Sequence, residues 1–241
     1  MSTLDRLPNR LIRLFLGLAM FGLGIALMVR ARLGLDAWNV LHEGVAERTG
    51  LPFGRIVIGT AVLVLLLWIP LRQRPGIGTI ANVVVVGLVV DALLWLLPAP
   101  ENPALRAGLL AAAIVVTAIA TGLYIGAGLG PGPRDGLMTG WAARGHSIRL
   151  GRTVIEASVL VAGVLLGGTV GVGTVVFTLT IGPLAHWFLP RLTLGPVSET
   201  SHRPWTRNSS APTDAASSPP SSGTAAPNSP RSPTCGSRTA G

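Results

Sequence analysis

Long apolar runs, broken by short polar and glycine-rich stretches, fill the chain from about residue 11 to residue 190 and then stop. A helix needs roughly 20 mostly apolar residues to cross about 30 Å of hydrocarbon. Six runs reach or approach that length: about Leu11–Val29, Ile56–Leu71, Thr79–Leu97, Leu105–Ala127, Thr153–Leu166 and Thr174–Leu189. Pro70 closes the second. The first is not read as a signal peptide, because Arg30 and Arg32 follow it directly, no small-residue cleavage pattern precedes them, and more spans follow. The pattern predicts an all-α polytopic membrane helix bundle of about six spans.

Two stretches between the runs are amphipathic and too polar to cross. Asp36–Arg48 follows the first run and Asp135–Arg144 follows the fourth. Each opens after a glycine-rich break with an Asp that can cap a helix start by accepting free backbone N–H groups. Short interfacial or re-entrant helices are expected there, since irregular backbone at membrane depth must be buried in protein or line a wet cavity. Beyond about Val197 the chain turns to Ser, Pro, Thr, Ala and Gly. Such a segment buries too little to offset its ordering entropy, so 198–241 is expected to be a disordered tail.

Composition sharpens this picture. The chain is 49% hydrophobic and 12% charged, against roughly 25% charged in an average soluble domain. Every one of its 19 basic residues is Arg, and against 10 acidic residues they give a net charge of +9. The arginines are scattered between apolar runs, which argues against a nucleic-acid partner. The single cysteine, Cys235, lies in the tail and excludes an internal disulfide framework. With the N-terminus (1–10) cytoplasmic, 12 arginines near the span ends fall inside: Arg6, Arg10, Arg13, Arg72, Arg74, Arg134, Arg144, Arg149, Arg152, Arg191, Arg203 and Arg207. Five fall outside: Arg30, Arg32, Arg48, Arg55 and Arg106. That bias predicts a multi-pass protein of the cell membrane with both termini cytoplasmic.

The two halves of the apolar region align with each other. Asn39 matches Asp135, Gly44 matches Gly140, and Gly54-Arg55 match Gly151-Arg152. Gly76, Gly78 and Thr79 match Gly171, Gly173 and Thr174, while Gly87 matches Gly182 and Asp91 matches His186. The offset stays between 95 and 97 across these blocks. Repeat 1 is then 11–97 and repeat 2 is 104–190, each with three spans and one amphipathic piece. Three is odd, so the second copy enters the membrane upside down. Inverted repeats with interrupted segments at matching positions are the layout of many secondary transporters.

The blocks LGLDAWNVLHEG, TGLPFG, GLGPGPRDGLMTG, LLGGTVGVGT and IGP resemble the YczE-like bacterial integral membrane proteins, which are related to the YitT group. The resemblance covers about residues 10–190, and GPRDGL with GGxxGxGT is its most specific part. It implies a polytopic membrane architecture and little chemistry. Where relatives tend to read Pro-Trp-Asp, this chain has Ala37, Trp38 and Asn39, so the acid is missing there.

Several residues stand out as site candidates. Arg134 and Asp135 follow a Gly/Pro break and could coordinate a polar solute; the plain alternative is a topology anchor and a helix cap. The two Gly-x-Gly-Thr turns precede the third and sixth spans, where free helix N–H groups could hold an anion. Tight packing turns between spans are the simpler reading of them. Asp91, Glu156 and His186 fall within apolar runs, where ionisable groups usually face a cavity or a partner. Arg152, four residues before Glu156, can pair with it on one helical face. His42 and Glu43 lack the further His or Cys that a zinc site needs, and no Ser or Thr has a partnered His. No metal, cofactor or enzymatic activity is expected.

The leading expectation is a transporter of a small solute or ion. Its path would run between the repeats, lined by Asp36, Asn39, Arg134, Asp135 and the turns Gly76-Gly78-Thr79 and Gly171-Gly173-Thr174. The alternative is a non-transporting membrane scaffold or regulator. The lipid bilayer is the expected partner. Glycine-rich faces (Gly17, Gly22, Gly24; Gly163, Gly167, Gly168) could pack within one subunit or between subunits of a homo-oligomer.

Overall fold

The computed structural model describes residues 7–193 apart from residue 146, with the side chains of 148 and 149 left aside. The expected tail at 198–241 and Cys235 lie outside the described residues. Eight helices and no strand occur among those described: α1 (Leu7–Ala31), α2 (Ala37–Thr49), α3 (Phe53–Leu71), α4 (Ile77–Leu96), α5 (Pro103–Gly126), α6 (Pro133–Ala142), α7 (Ile148–Leu165) and α8 (Val172–Leu192). Each predicted apolar run became a helix, and the two amphipathic stretches became α2 and α6.

Five of these helices, α1, α3, α4, α5 and α8, are long and apolar enough to cross a membrane. The expectation of six such runs counted α7 as well. That helix carries Arg149, Arg152 and Glu156 within 18 residues, which sets it apart from the other five. Large apolar side chains point outward from the bundle: Leu63 on α3 is 59% exposed, Leu88 on α4 is 58% and Leu179 on α8 is 70%. Outward faces this apolar suit lipid rather than water.

The core is built on α1 and α5. Gly17 meets the backbone of Tyr124, and Gly24 meets Thr117, so the two helices run antiparallel at close range. On its other side, Gly22 of α1 admits Val89 of α4. Leu14, Leu18 and Ile25 close this seam with Val86, Val90 and Tyr124, while Met28, Ala31 and Leu35 pack with Leu110, Ala113 and Ile114. In lipid, helices associate through such close backbone approach rather than hydrophobic transfer. Gly17, Gly22 and Gly24 of the first expected glycine face are therefore used within this chain, whereas a Cβ on Gly167 of the second would meet nothing within 4 Å. Gly163 and Gly168 likewise receive Val40 and Leu41 of α2.

The helix ends interlock reciprocally. Leu33, just after α1, accepts a hydrogen bond from the N–H of Gly173 at the start of α8 (2.7 Å); Leu129, just after α5, accepts one from Gly78 at the start of α4 (2.9 Å). Gly34 sits there with φ +108°, and a Cβ on it would lie 2.5 Å from the Gly171 nitrogen. Only glycine meets both demands.

Candidate functional site

A cavity of about 650 Å³ lies inside the bundle and is lined by side chains from all eight described helices. Its polar centre is where the first turns of α2 and α6 meet. Arg134 Nη1 of α6 stands 3.5 Å from Asp36 Oδ2, at the N-cap of α2. The same guanidinium lies 5.1 Å over the Trp38 ring, a cation–π contact that fixes its plane. Asn39 donates to Asp36, and its own carbonyl oxygen lies 3.1 Å from His42 Nδ1. Residues 36, 39 and 42 recur one turn apart, so α2 offers one polar stripe inward. His42 is 2% exposed and meets Phe53 edge-on.

On α6, Asp135 Oδ2 accepts a hydrogen bond from the Tyr124 hydroxyl of α5 at 2.9 Å. Neither α2 nor α6 is long enough to span, so their ionisable groups lie outside the spanning segments. Burial raises Asp135 above its ordinary value, against the pull of Tyr124, Arg134 and Arg152 and a hydrogen bond with the Gly132 backbone. Burial also holds His42 well below its ordinary value, and the nearby Arg134 charge acts in the same direction. The neutral forms are favoured in both cases.

The two expected Asp caps are arranged differently from the sequence reading. Asp36 does occupy the N-cap of α2, but its carboxylate makes no cap hydrogen bond; Asn39 and Arg134 take it instead. The N-cap of α6 is Gly132, and Asp135 sits in the first turn with Pro133 ahead of it.

Thr79 and Thr174 also lie three residues inside their helices, with Gly76 and Gly171 at the N-caps. Each Thr hydroxyl accepts from the N–H of that glycine at 3.2 Å. Thr79 in turn donates to the Pro131 carbonyl at 2.7 Å. The turns Gly76-Gly78-Thr79 and Gly171-Gly173-Thr174 are not on the cavity wall. Their N–H groups at Gly78 and Gly173 are satisfied by carbonyls of the opposite half. The N–H groups of Gly76, Gly78, Gly171 and Gly173 are therefore engaged in joining the helix ends.

The remaining candidates divide. Asp91 Oδ1 accepts from the Gly54 N–H at 2.5 Å, which ties α4 to the start of α3 away from the cavity. Its repeat counterpart, His186, lines the cavity instead. Arg152 and Glu156 pair at 3.1 Å on the cavity wall, with side chains 56% and 34% exposed. Sequence reasoning set His42 aside as a metal ligand and missed Trp38, Asn82, Thr117, Thr121 and Tyr124; all six are on the wall. A usable signal was present for two of them. Tyr124 is the chain's single tyrosine and sits in an apolar run, and His42 follows Asn39 at helical spacing. Among the described residues, no three His, Cys, Asp or Glu side chains gather as a metal site.

Two glycine pairs that align in the sequence are packed differently. Gly54 of α3 and Gly87 of α4 are in backbone contact, with a Cβ on Gly87 lying 2.6 Å from the Gly54 carbonyl oxygen. Their repeat counterparts do not meet. Gly151 packs on Trp141, and a Cβ on Gly182 would find nothing within 4 Å. Arg152 and Glu156 of α7 and Gly182 and His186 of α8 line the cavity on this side.

A family model described as a family of unknown function, DUF6198, matches residues 8–190. The chain belongs to that family. It is 38% identical over 177 residues to an uncharacterised protein of Haemophilus influenzae, covering 73% of this chain and 81% of that one. It is 30% identical over 186 residues to the uncharacterised membrane protein YczE of Bacillus subtilis, covering 73% and 84%. Similarity extends to YyaS of the same organism, 25% identical over 182 residues and covering 73% and 90%. No solved structure matches the chain. The family membership and the apolar helices together make this a multi-pass membrane protein of the DUF6198 family.

Proposed function

We propose that this DUF6198 protein transports a small solute by exchanging the roles of two inverted halves, α1–α4 and α5–α8, around the central cavity. The observation that carries this reading is the asymmetry just described. One half has its third and fourth helices locked at Gly54 and Gly87, whereas the equivalent helices of the other half are parted at Gly151 and Gly182. Two copies of one motif in two arrangements are what an alternating-access carrier needs, with the site held at their junction. Antiparallel packing of α1 on α5 and the reciprocal hydrogen bonds from Gly78 and Gly173 support the inversion.

In this reading α7 crosses as the counterpart of α3, with its charged pair facing the cavity, and gives a sixth span. The arginine bias then sets both termini on the cytoplasmic side. The proposed role is carriage of the solute without chemical change. A scaffold would have no use for a cavity of about 650 Å³ furnished by every helix.

Distance measurements between spin labels test the proposal. Labels at Leu63 and Leu88 report on α3–α4, and labels at Val161 and Leu179 report on α7–α8; all four side chains are exposed. In a Cys235→Ser background in lipid nanodiscs, each pair is expected to show two distances that shift in opposite senses. A single fixed distance at both pairs overturns the proposal.

A further inference from the structure

We propose that the cavity binds a small organic ammonium ion, and that this cation and a proton replace one another at the Asp135 carboxyl. The inference rests on the transport reading for its purpose, although the binding chemistry stands on the site alone.

The argument begins with the helix starts. A helix N-terminus carries about half a positive charge and commonly attracts an anion from a solute. Here both inward-facing starts already hold acids of this chain: Asp36 at the N-cap of α2 and Asp135 in the first turn of α6. The partial positive charge of each start is already faced by a carboxyl group of this chain, although neither acts as a side-chain cap.

Formal charge then decides the sign of the ligand. Arg152 is paired with Glu156 at 3.1 Å, and Arg134 with Asp36 at 3.5 Å. Asp135 is the acid left over, and its hydrogen-bond donor, Tyr124, brings no charge. His42, beside Asn39, and His186 complete the titratable groups on the wall. An unpaired carboxylate in a buried site is costly and is neutralised by a proton or by a cation. An anionic solute would add to the deficit.

The remaining wall chemistry suits an ammonium. Phe21 and Tyr124 present aromatic rings edge to face at 5.9 Å, and both line the cavity, which favours an organic cation over a bare metal ion. The wall also carries the half-buried hydroxyls of Thr60 and Thr121. Each can accept a hydrogen bond from a hydroxyl on the same solute, so an amino alcohol fits better than a simple amine.

The exchange conserves charge. As the ammonium arrives, the Asp135 carboxylic acid releases its proton to cavity water and remains as the carboxylate that pairs with the ligand. When the ammonium leaves, the carboxylate takes one proton back. One proton moves out for each monovalent cation that moves in.

Purified full-length protein in weakly buffered detergent tests this with methylammonium, ethanolamine and acetate as probes. Calorimetry reads binding and a pH indicator reads proton release. The expected result is binding of both ammonium probes, ethanolamine tighter, with release of up to one proton per ligand, and no binding of acetate. Asp135→Asn is expected to abolish proton release and weaken ammonium binding at least tenfold. Tyr124→Phe keeps the carboxylate and, should Asp135→Asn fold poorly, is expected to retain binding while moving the pH range of proton release. Acetate binding with proton uptake, ammonium binding unchanged in Asp135→Asn, or no binding of either ammonium overturns the proposal. If these fail while the spin-label distances alternate, the cation assignment falls alone. If binding and release succeed with fixed distances, the transport reading falls alone.

Discussion

Arg134 Nη1 and Asp36 Oδ2, 3.5 Å apart, join the first turns of two helices that no spanning segment connects directly. The pair is partly shielded, with side chains 27% and 15% exposed. Removing one partner of a buried ion pair costs about 3–5 kcal/mol, because the other charge is left uncompensated. Partial exposure places Arg134→Ala toward the low end of that range. Arg134→Lys keeps the charge but loses the planar stacking over Trp38 and is expected to cost about 1 kcal/mol. Adding Asp36→Asn to Arg134→Ala should recover part of the loss. Equilibrium unfolding of the three variants checks this, and purely additive losses would show that the two side chains do not communicate.

A pair of glycine substitutions separates packing from mere composition. A Cβ on Gly24 would collide with Thr117 Oγ1, whereas a Cβ on Gly59 would meet nothing within 4 Å. Gly24→Leu is therefore expected to abolish monodisperse protein in detergent. Gly59→Leu should purify like the parent and unfold at a similar temperature, since an exposed lipid-facing leucine is well tolerated. Size-exclusion profiles of the two variants make the comparison.

Much of this fold was legible in the sequence because lipid imposes a strict length rule. Each apolar run from Leu11 to Leu189 lies within one of the helices or within a residue of its end. The site was legible in part. Asp36, Asn39, Arg134 and Asp135 were marked by the polar breaks that carry them, and the cavity brings these four together. The Gly-x-Gly-Thr turns were equally conspicuous but serve packing. No local pattern tells a free helix start from one whose N–H groups bond a carbonyl roughly 50 or 140 residues away in the chain, as at Gly78 and Gly173. Thr117 and Thr121 were hidden by their apolar neighbours, because a single hydroxyl in a spanning run does not disturb its hydropathy.

Asp91 illustrates how an acid inside an apolar run can be structural. Its Oδ1 accepts the Gly54 N–H at 2.5 Å, at a helix start where Pro52 is the N-cap and has no side-chain acceptor to offer. Replacing a capping acid by Ala typically costs about 0.5–2 kcal/mol. Asp91→Ala is expected to lower stability within that range, and Asp91→Asn to lose less. Amide exchange should accelerate locally over residues 54–58 in Asp91→Ala while the centre of α5 is unchanged. Uniform acceleration along the chain would argue for global destabilisation instead of a lost cap.

Asp135 and His42 should impose opposite pH dependences, and the signs follow from linkage. The folded-state value of Asp135 lies above its ordinary 3.8. The native protein therefore binds the proton more tightly than the unfolded chain, and stability falls as pH rises from the ordinary value through the folded one. His42 is held well below its ordinary 6.5. Between its folded and ordinary values the unfolded chain binds more protons, so stability falls as pH drops below about 6.5. Melting temperature against pH is thus expected to decline on the acid side because of His42. His42→Gln, which keeps a polar side chain beside Asn39, should flatten that decline. Asp135→Asn should leave the acid-side decline in place and remove the loss on raising pH above the carboxyl range. If both variants keep the parent's full profile, the titrating groups that govern stability lie elsewhere in the chain.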